Sequence, residues 1–339
     1  MPVHKQTQRA TRGLGEGVLA FPFSMSAQTK AWFQIHFCVV LWGFTAIIGK
    51  LISLPALALV WWRMLLVTLA LVMIKRFWTG LRGMPARLLW MYALIGVVVA
   101  LHWLTFYGAI KMANASVAAT CLALTPVFIA FVEPVLANRK FDARELIFGL
   151  AVIPGVALVI GGTPTGMRLG LVVGSLSAFF VAIFSSLNKR YIGTSDALSV
   201  TGLEMGAGAL FLTLVAPLFA SESIFLLPNH HDALLLVALA LGCTLLPFAL
   251  SLVALRELTA FTTALAVNME PVYAVVLATI LLGEQRELDP GFYAGVAIIM
   301  IVVFSHPLLT RRRANVAAPI LTDGAAGAGQ PGRDRNGSA

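Results

Sequence analysis

Apolar residues fill ten runs of close to 20 positions each, and polar residues gather in the short stretches between them. The runs cover 31–50, 56–74, 88–111, 115–137, 143–162, 167–188, 198–220, 232–255, 259–283 and 291–309. A helix rises about 1.5 Å per residue, so about 20 residues cross roughly 30 Å of hydrocarbon. The runs are continuous rather than alternating, which excludes a β-barrel. The pattern predicts an all-α polytopic membrane protein with ten transmembrane helices. Connections such as Leu54-Pro55 and Ala113-Asn114 are so short that the helices they join must be antiparallel.

Composition agrees. Of 339 residues, 59% are hydrophobic and 12% charged, against about half and a quarter in a soluble domain. The net charge of +9 does not point to nucleic acid, because the basic residues lie in connections and tails. With the N-terminus inside, Lys75, Arg76, Arg82, Arg87, Arg139, Lys140, Arg144, Lys189, Arg190 and Arg256 fall on the inner side, against Lys50, Lys111, Arg168 and Arg286 outside. That excess places both termini in the cytoplasm of a cell-membrane protein. Residues 1–30 and 310–339 read as tails, the second Gly/Ala/Ser-rich with too little apolar mass to fold. Residues 1–29 do not resemble a cleaved signal, and Met25 offers an alternative start. The three cysteines, Cys38, Cys121 and Cys243, sit inside apolar runs and suggest no disulfide framework.

The halves resemble one another. A shift of 145 positions lays Ala109 on Ala254, Lys111 on Arg256, Pro126 on Pro271 and Val127 on Val272; a shift of 139 lays Lys50 on Lys189. Five helices per half put the second half into the membrane the other way up. This predicts two inverted five-helix repeats, 31–163 and 167–309.

Several segments carry a family resemblance: Leu41-Trp42-Gly43, Arg63, Phe106-Tyr107-Gly108-Ala109-Ile110-Lys111, Ala115-Ser116-Val117-Ala118 and Leu124-Thr125-Pro126. The most specific are Asn268-Met269-Glu270-Pro271-Val272 and Leu281-Leu282-Gly283-Glu284. Over roughly 31–309 the chain resembles the drug/metabolite transporter superfamily, in its ten-helix EamA-domain branch. The resemblance implies export or import of small organic solutes by alternating access, in a branch that handles amino acids, other metabolites and toxic compounds; an amino acid or related metabolite is the expected solute and export the expected direction. One departure stands out. Gly283-Glu284 closes the ninth helix, but the fourth ends in Asn138-Arg139, with Glu133-Pro134 earlier.

Candidate chemistry centres on Glu270. It lies about 11 residues into the ninth run, near the midplane. An acid at that depth costs about 2.5–3.5 kcal/mol on insertion scales, which marks a functional position or a tightly paired one. The adjoining Pro271 breaks the turn before it and frees backbone groups. Asn268 adds a donor and an acceptor, and Tyr273 shares the Glu270 face. Glu270 either meets a cationic group of the solute or takes up a proton during transport. Arg63 lies some 10 Å from the outer end of its helix by the rise per residue. It either binds a carboxylate or phosphate or snorkels to the interface. His102 shares a face with Phe106 and reads as a switch or a packing residue. Trp42, Trp61, Trp62, Trp103 and Tyr107 form an aromatic wall around the solute or an interfacial belt. The expected substrate-binding set is Trp42, Arg63, His102, Phe106, Thr125, Asn268, Glu270 and Tyr273, with proton coupling at Glu270. Glu204 takes the place of Arg63 in the second repeat and is not expected to pair with it.

The stripes Gly166-x-x-x-Gly170-x-x-x-Gly174 and Gly202-x-x-x-Gly206 let helices approach closely, within one chain or in a homodimer. Asn229-His230-His231-Asp232 reads as a helix start capped by Asp232 rather than a metal cluster. There is no Walker loop, G-x-S-x-G or H-E-x-x-H. No cofactor or metal is implied, and the expected partners are a small-molecule solute and the lipid bilayer. An uncoupled facilitator of the same solutes is the alternative. A membrane-embedded enzyme would need a clustered nucleophile and base, and a sensor a folded output domain; the sequence offers neither.

Overall fold

A computed structural model describes residues 26–136, 143–193, 195–218, 224–258, 266–267 and 269–316, and no strand occurs among them. The helices are α1 (Ala27–Leu51), α2 (Ala56–Val72), α3 (Lys75–Arg82), α4 (Ala86–Met112), α5 (Ala115–Leu122), α6 (Thr125–Leu136) and α7 (Ala143–Gly161). After them come α8 (Arg168–Tyr191), α9 (Ala197–Val215), α10 (His230–Val237), α11 (Leu246–Glu257), α12 (Glu270–Leu277) and α13 (Pro290–Val316). Among the described residues, six helical segments are long and apolar enough to cross a membrane, seven if the bent pair α2 and α3 is taken as one span, and three shorter apolar helices accompany them. Asn138-Arg139 and the start of the ninth predicted helix, 259–265, lie outside the described residues.

Two predicted helices are broken where the prolines stand. The fourth run divides at Ala123-Leu124 into α5 and α6, with Pro126 in the first turn of α6. In the ninth, Met269 forms a turn, and Pro271 stands in the first turn of α12. Proline has no N–H to give and is tolerated at the start of a helix, where that donor would be unpaired anyway.

One short helix was not anticipated. The chain bends by 87° after α2, and Lys75–Arg82, expected as a basic loop, folds as α3. Phe77 is buried, while Lys75, Trp78 and Arg82 are exposed. The last run also goes further than expected: α13 continues as helix through Arg311-Arg312-Arg313 to Val316.

Packing follows a crossed pattern. α4, the third predicted run, lies on α8 and α9, the sixth and seventh. The eighth run, α10 with α11, lies on α1 and α2. The fourth packs on the sixth through α6 and α8, and the ninth on the first through α12 and α1. α7 lies along α13, where Gly155 and Gly295 face each other: a Cβ on Gly295 would stand 2.6 Å from the Gly155 carbonyl oxygen. The predicted glycine stripes also serve contacts inside this chain. Gly170 and Gly174 meet Ala113 and Cys121, and Gly202 meets Phe77, while Gly166 faces open space.

Polar contacts tie the connections at each end of the bundle. At one end, the Asp232 carboxylate accepts from the Ser53 N–H (3.0 Å) and hydroxyl (2.5 Å), and Lys111 donates to the Ile52 carbonyl. The residue that caps α10 is Asn229, whose side chain accepts from the Asp232 N–H at 2.8 Å. The expected capping role of Asp232 is thus corrected: it holds the turn between α1 and α2 instead. At the other end, the Tyr92 hydroxyl donates to the Tyr191 carbonyl (2.8 Å), Arg76 pairs with Asp196 (2.8 Å) and Lys189 with Glu133 (2.7 Å).

Candidate functional site

Arg63 is the centre of the site. It projects from the middle of α2 into the bundle and is only 2% exposed, so it does not snorkel to the interface. Its Nε donates to the Thr244 hydroxyl and its Nη1 to the Tyr107 hydroxyl, both at 2.7 Å. The guanidinium carbon lies 3.7 Å from the centroid of the Trp103 ring, stacked on its face. Arginine's planar fork suits this combination of two directed bonds and a π-contact.

The partner Thr244 is presented by a π-helical stretch, Ala238–Leu245, between α10 and α11. Its cause is local. Pro247 has no N–H to donate to the Cys243 carbonyl, so the preceding turn loosens to i→i+5 bonding. The Thr244 hydroxyl donates to the Leu239 carbonyl at 2.7 Å, which leaves its lone pair for Arg63. Sequence reasoning missed Thr244; the proline inside the eighth run was the available signal.

Glu270 opens α12, half-buried, at the positive end of the helix. It lies within electrostatic reach of Arg63 and Tyr107. Yet among the described residues it forms no ion pair within 4.0 Å. A carboxyl and a guanidinium therefore lie within electrostatic reach of one another inside the bundle without forming an ion pair. Cys243 lies in the same electrostatic neighbourhood.

The other expected residues divide. Phe106 is buried beside Tyr107, their ring centroids 5.4 Å apart. Tyr273, half-buried on α12, packs its Cβ against Gly43 of α1, where an added Cβ would stand at 3.0 Å. Trp42 precedes that contact and is half-buried. Thr125 begins α6 at the break before Pro126, also half-buried. His102 is committed elsewhere: its Nδ1 lies 2.7 Å from the Ser177 hydroxyl, which donates back to the His102 carbonyl at 3.0 Å. That reciprocal pair joins α4 to α8. Asn268 lies outside the described residues.

The aromatic residues divide too. Trp103 and Tyr107 line the Arg63 site. Trp61 donates to Thr213 in the last turn of α9 at 2.8 Å, and Trp62 to the Leu226 carbonyl in the segment beyond it at 3.0 Å. Glu204 does not meet Arg63. It is fully buried on α9 beside Asn188, and its backbone packs against Gly96 of α4. A concavity of 270 Å³ between α5, α7 and α8 is almost wholly apolar and opens beside the exposed Ile160 and Val172. It shares no residue with the charged site.

Two segments of the chain, 30–161 and 168–306, match the profile of the EamA-like transporter family. The chain belongs to that family. It is a multi-pass membrane protein of the transporter type. A protein of Bacillus subtilis (strain 168) named as the uncharacterized transporter YxxF is 23% identical over 230 residues, 66% of this chain and 71% of that one. A solved crystal structure with 18% identity aligns at a TM-score of 0.58, covering 84% of this chain and 99% of the other. At that identity the likeness is one of fold.

Proposed function

We propose that this EamA-family member is a ten-span secondary transporter of the cell membrane, its termini cytoplasmic, built from two inverted five-helix repeats that alternate access to a site between them. Its solute is a small zwitterion, an amino acid or related metabolite. The observation that carries this is the relation of Arg63 to Glu270. Opposite charges inside a membrane bundle are costly unless paired. Here Arg63 is pinned by Thr244, Tyr107 and Trp103, and Glu270 by the helix it opens, so they stay apart. A solute bearing both a carboxylate and an ammonium group would satisfy each. Nη2 of Arg63 remains for the carboxylate.

The repeat reading is supported by the crossed packing, in which the third and eighth runs exchange equivalent neighbours, and by the two family matches of similar length. Glu270 is also the group proposed to take up a proton when the solute leaves.

The test is flux in liposomes holding purified protein, against a panel of amino acids, amines and carboxylates. Zwitterions should be carried with saturation, and Glu270→Gln should abolish their transport while the protein stays folded. Equal transport by wild type and Glu270→Gln would remove Glu270 from the mechanism. An imposed pH gradient that leaves accumulation unchanged would favour the uncoupled facilitator. The sign of net flux gives the direction, with export expected.

A further inference from the structure

Two groups of described cations stand out at the end of the bundle that carries α3. Arg76 pairs with Asp196, Lys189 pairs with Glu133, and Arg190 donates to the Leu136 carbonyl. These three hold the protein to itself. Lys75, Arg82 and Arg87 are exposed and carry no ion pair among the described residues. All three lie on α3 or on the first turn of the helix it leads into.

Their placement is ordered. α3 runs at 87° to α2, so when α2 crosses the membrane α3 lies along its surface. Lys75, Trp78 and Arg82 are spaced i, i+3 and i+7, which puts them on one stripe. Phe77 and Gly80 form the opposite stripe, which is docked. Phe77 is buried against Gly202, and Gly80 lies on Ser199, whose hydroxyl oxygen stands 3.1 Å from the Phe77 carbonyl oxygen. Trp78 is 45% exposed and donates its indole N–H to the Val72 carbonyl at 2.9 Å, at the C-terminal end of α2. An indole with its polar edge satisfied and its ring outward suits the headgroup level of a bilayer. The exposed Met73, Ile74 and Trp90 flank the same surface.

We propose that Lys75, Arg82 and Arg87, with Trp78 between them, form a binding site for the phosphate headgroup of an anionic lipid. The docked stripe fixes the helix, and the unpaired stripe meets the headgroups. Because α3 is bonded to the start of α9, a bound headgroup bears directly on that helix.

The experiment is native mass spectrometry of the full-length protein in detergent, titrated with phosphatidylglycerol or phosphatidylcholine, with inorganic phosphate as competitor. The variant is Lys75→Gln/Arg82→Gln/Arg87→Gln, and the control is Arg168→Gln, an exposed cation at the start of α8. Each cation near an anionic surface is worth about fivefold in affinity, so the triple variant should bind phosphatidylglycerol about a hundredfold more weakly. Binding of phosphatidylcholine should be weak and unchanged. Three results would overturn the assignment: an unaltered phosphatidylglycerol affinity in the triple variant, an equal loss in Arg168→Gln, or displacement by millimolar phosphate, which would mark a site for a soluble anion. The substituted side chains are exposed, so the fold is not at risk.

Discussion

The Glu284 carboxylate, from the second half of the chain, accepts the backbone N–H of Ser116 in the first half at 2.7 Å, and that of Ala115 at 2.9 Å. Glu284 is 1% exposed, and the N–H groups are the unpaired donors of the first turn of α5. Gly283, with φ of 69°, makes the left-handed turn that ends the preceding helix and aims Glu284 across. Asn114 caps the same helix from within and donates to Glu287 at 3.0 Å. Hydrogen bonds to a buried charge are worth roughly 1.5–3 kcal/mol each, so losing both in Glu284→Ala should destabilise by about 3–6 kcal/mol. Glu284→Gln, which keeps one acceptor, should lose less. Thermal unfolding in detergent reads both; an alanine variant as stable as wild type would refute the latch.

Much of this was legible beforehand. The apolar runs announced an all-helical membrane protein, and Pro126 and Pro271 announced the breaks, because composition and a missing N–H act locally. The Arg63 site was half legible. Arg63 and Glu270 stood out as charges at apolar depth. Thr244 did not, since a threonine in a membrane helix is ordinary until the cation it bonds is known. His102 stayed open between switch and packing residue for the same reason: its partner, Ser177, lies 75 positions away and carries no local mark. The α3 helix was hidden because basic residues between apolar runs read as a loop. Only the docking of Phe77 on α9 shows that they are ordered.

Thr244→Val keeps the shape of the side chain and removes the acceptor for Arg63 Nε. A buried donor left unpaired costs about 1–3 kcal/mol, and the guanidinium would also lose one of its two anchors. The expected result is a modest loss of thermal stability with a tenfold or greater rise in the KM for transport. Arg63→Lys should not restore function, because an ammonium cannot bond Thr244 and Tyr107 as a fork while stacking on Trp103. Transport by Arg63→Lys at the wild-type rate would show that only the charge matters.

Glycines that look alike in sequence should respond differently. A methyl on Gly295 would meet the Gly155 carbonyl oxygen at 2.6 Å and the Val159 nitrogen at 2.7 Å, both backbone atoms that cannot yield without parting α7 from α13. Gly295→Ala should cost about 1–3 kcal/mol or more, as overpacking does. Gly166 has nothing within 4 Å of the same position, so Gly166→Ala should be neutral. Melting curves of the two variants side by side decide this; equal effects would mean that the helices are less closely set than α7 and α13 are here.

The Arg76–Asp196 pair gives the protein a dependence on acid. Burial acts to raise the Asp196 carboxyl, but the Ser199 N–H and hydroxyl and the Arg76 guanidinium together outweigh it and hold the group below the ordinary carboxylate range. A depressed acid stabilises the fold at pH values above its unfolded value, about 4, and that contribution disappears as pH falls through the lower folded value. Asp196→Asn isolates the charge, since asparagine still caps α9 through the Ser199 N–H. At neutral pH wild type should be the more stable, by only about 0.2–1 kcal/mol because Arg76 is largely exposed. The gap should narrow below about pH 4 and also in high salt, which screens exposed pairs. Thermal unfolding of both proteins across that range, at low and high ionic strength, checks the sign. A gap independent of pH would mean that the carboxylate serves only as a cap, and that Arg76 holds α3 to α9 without help from its charge.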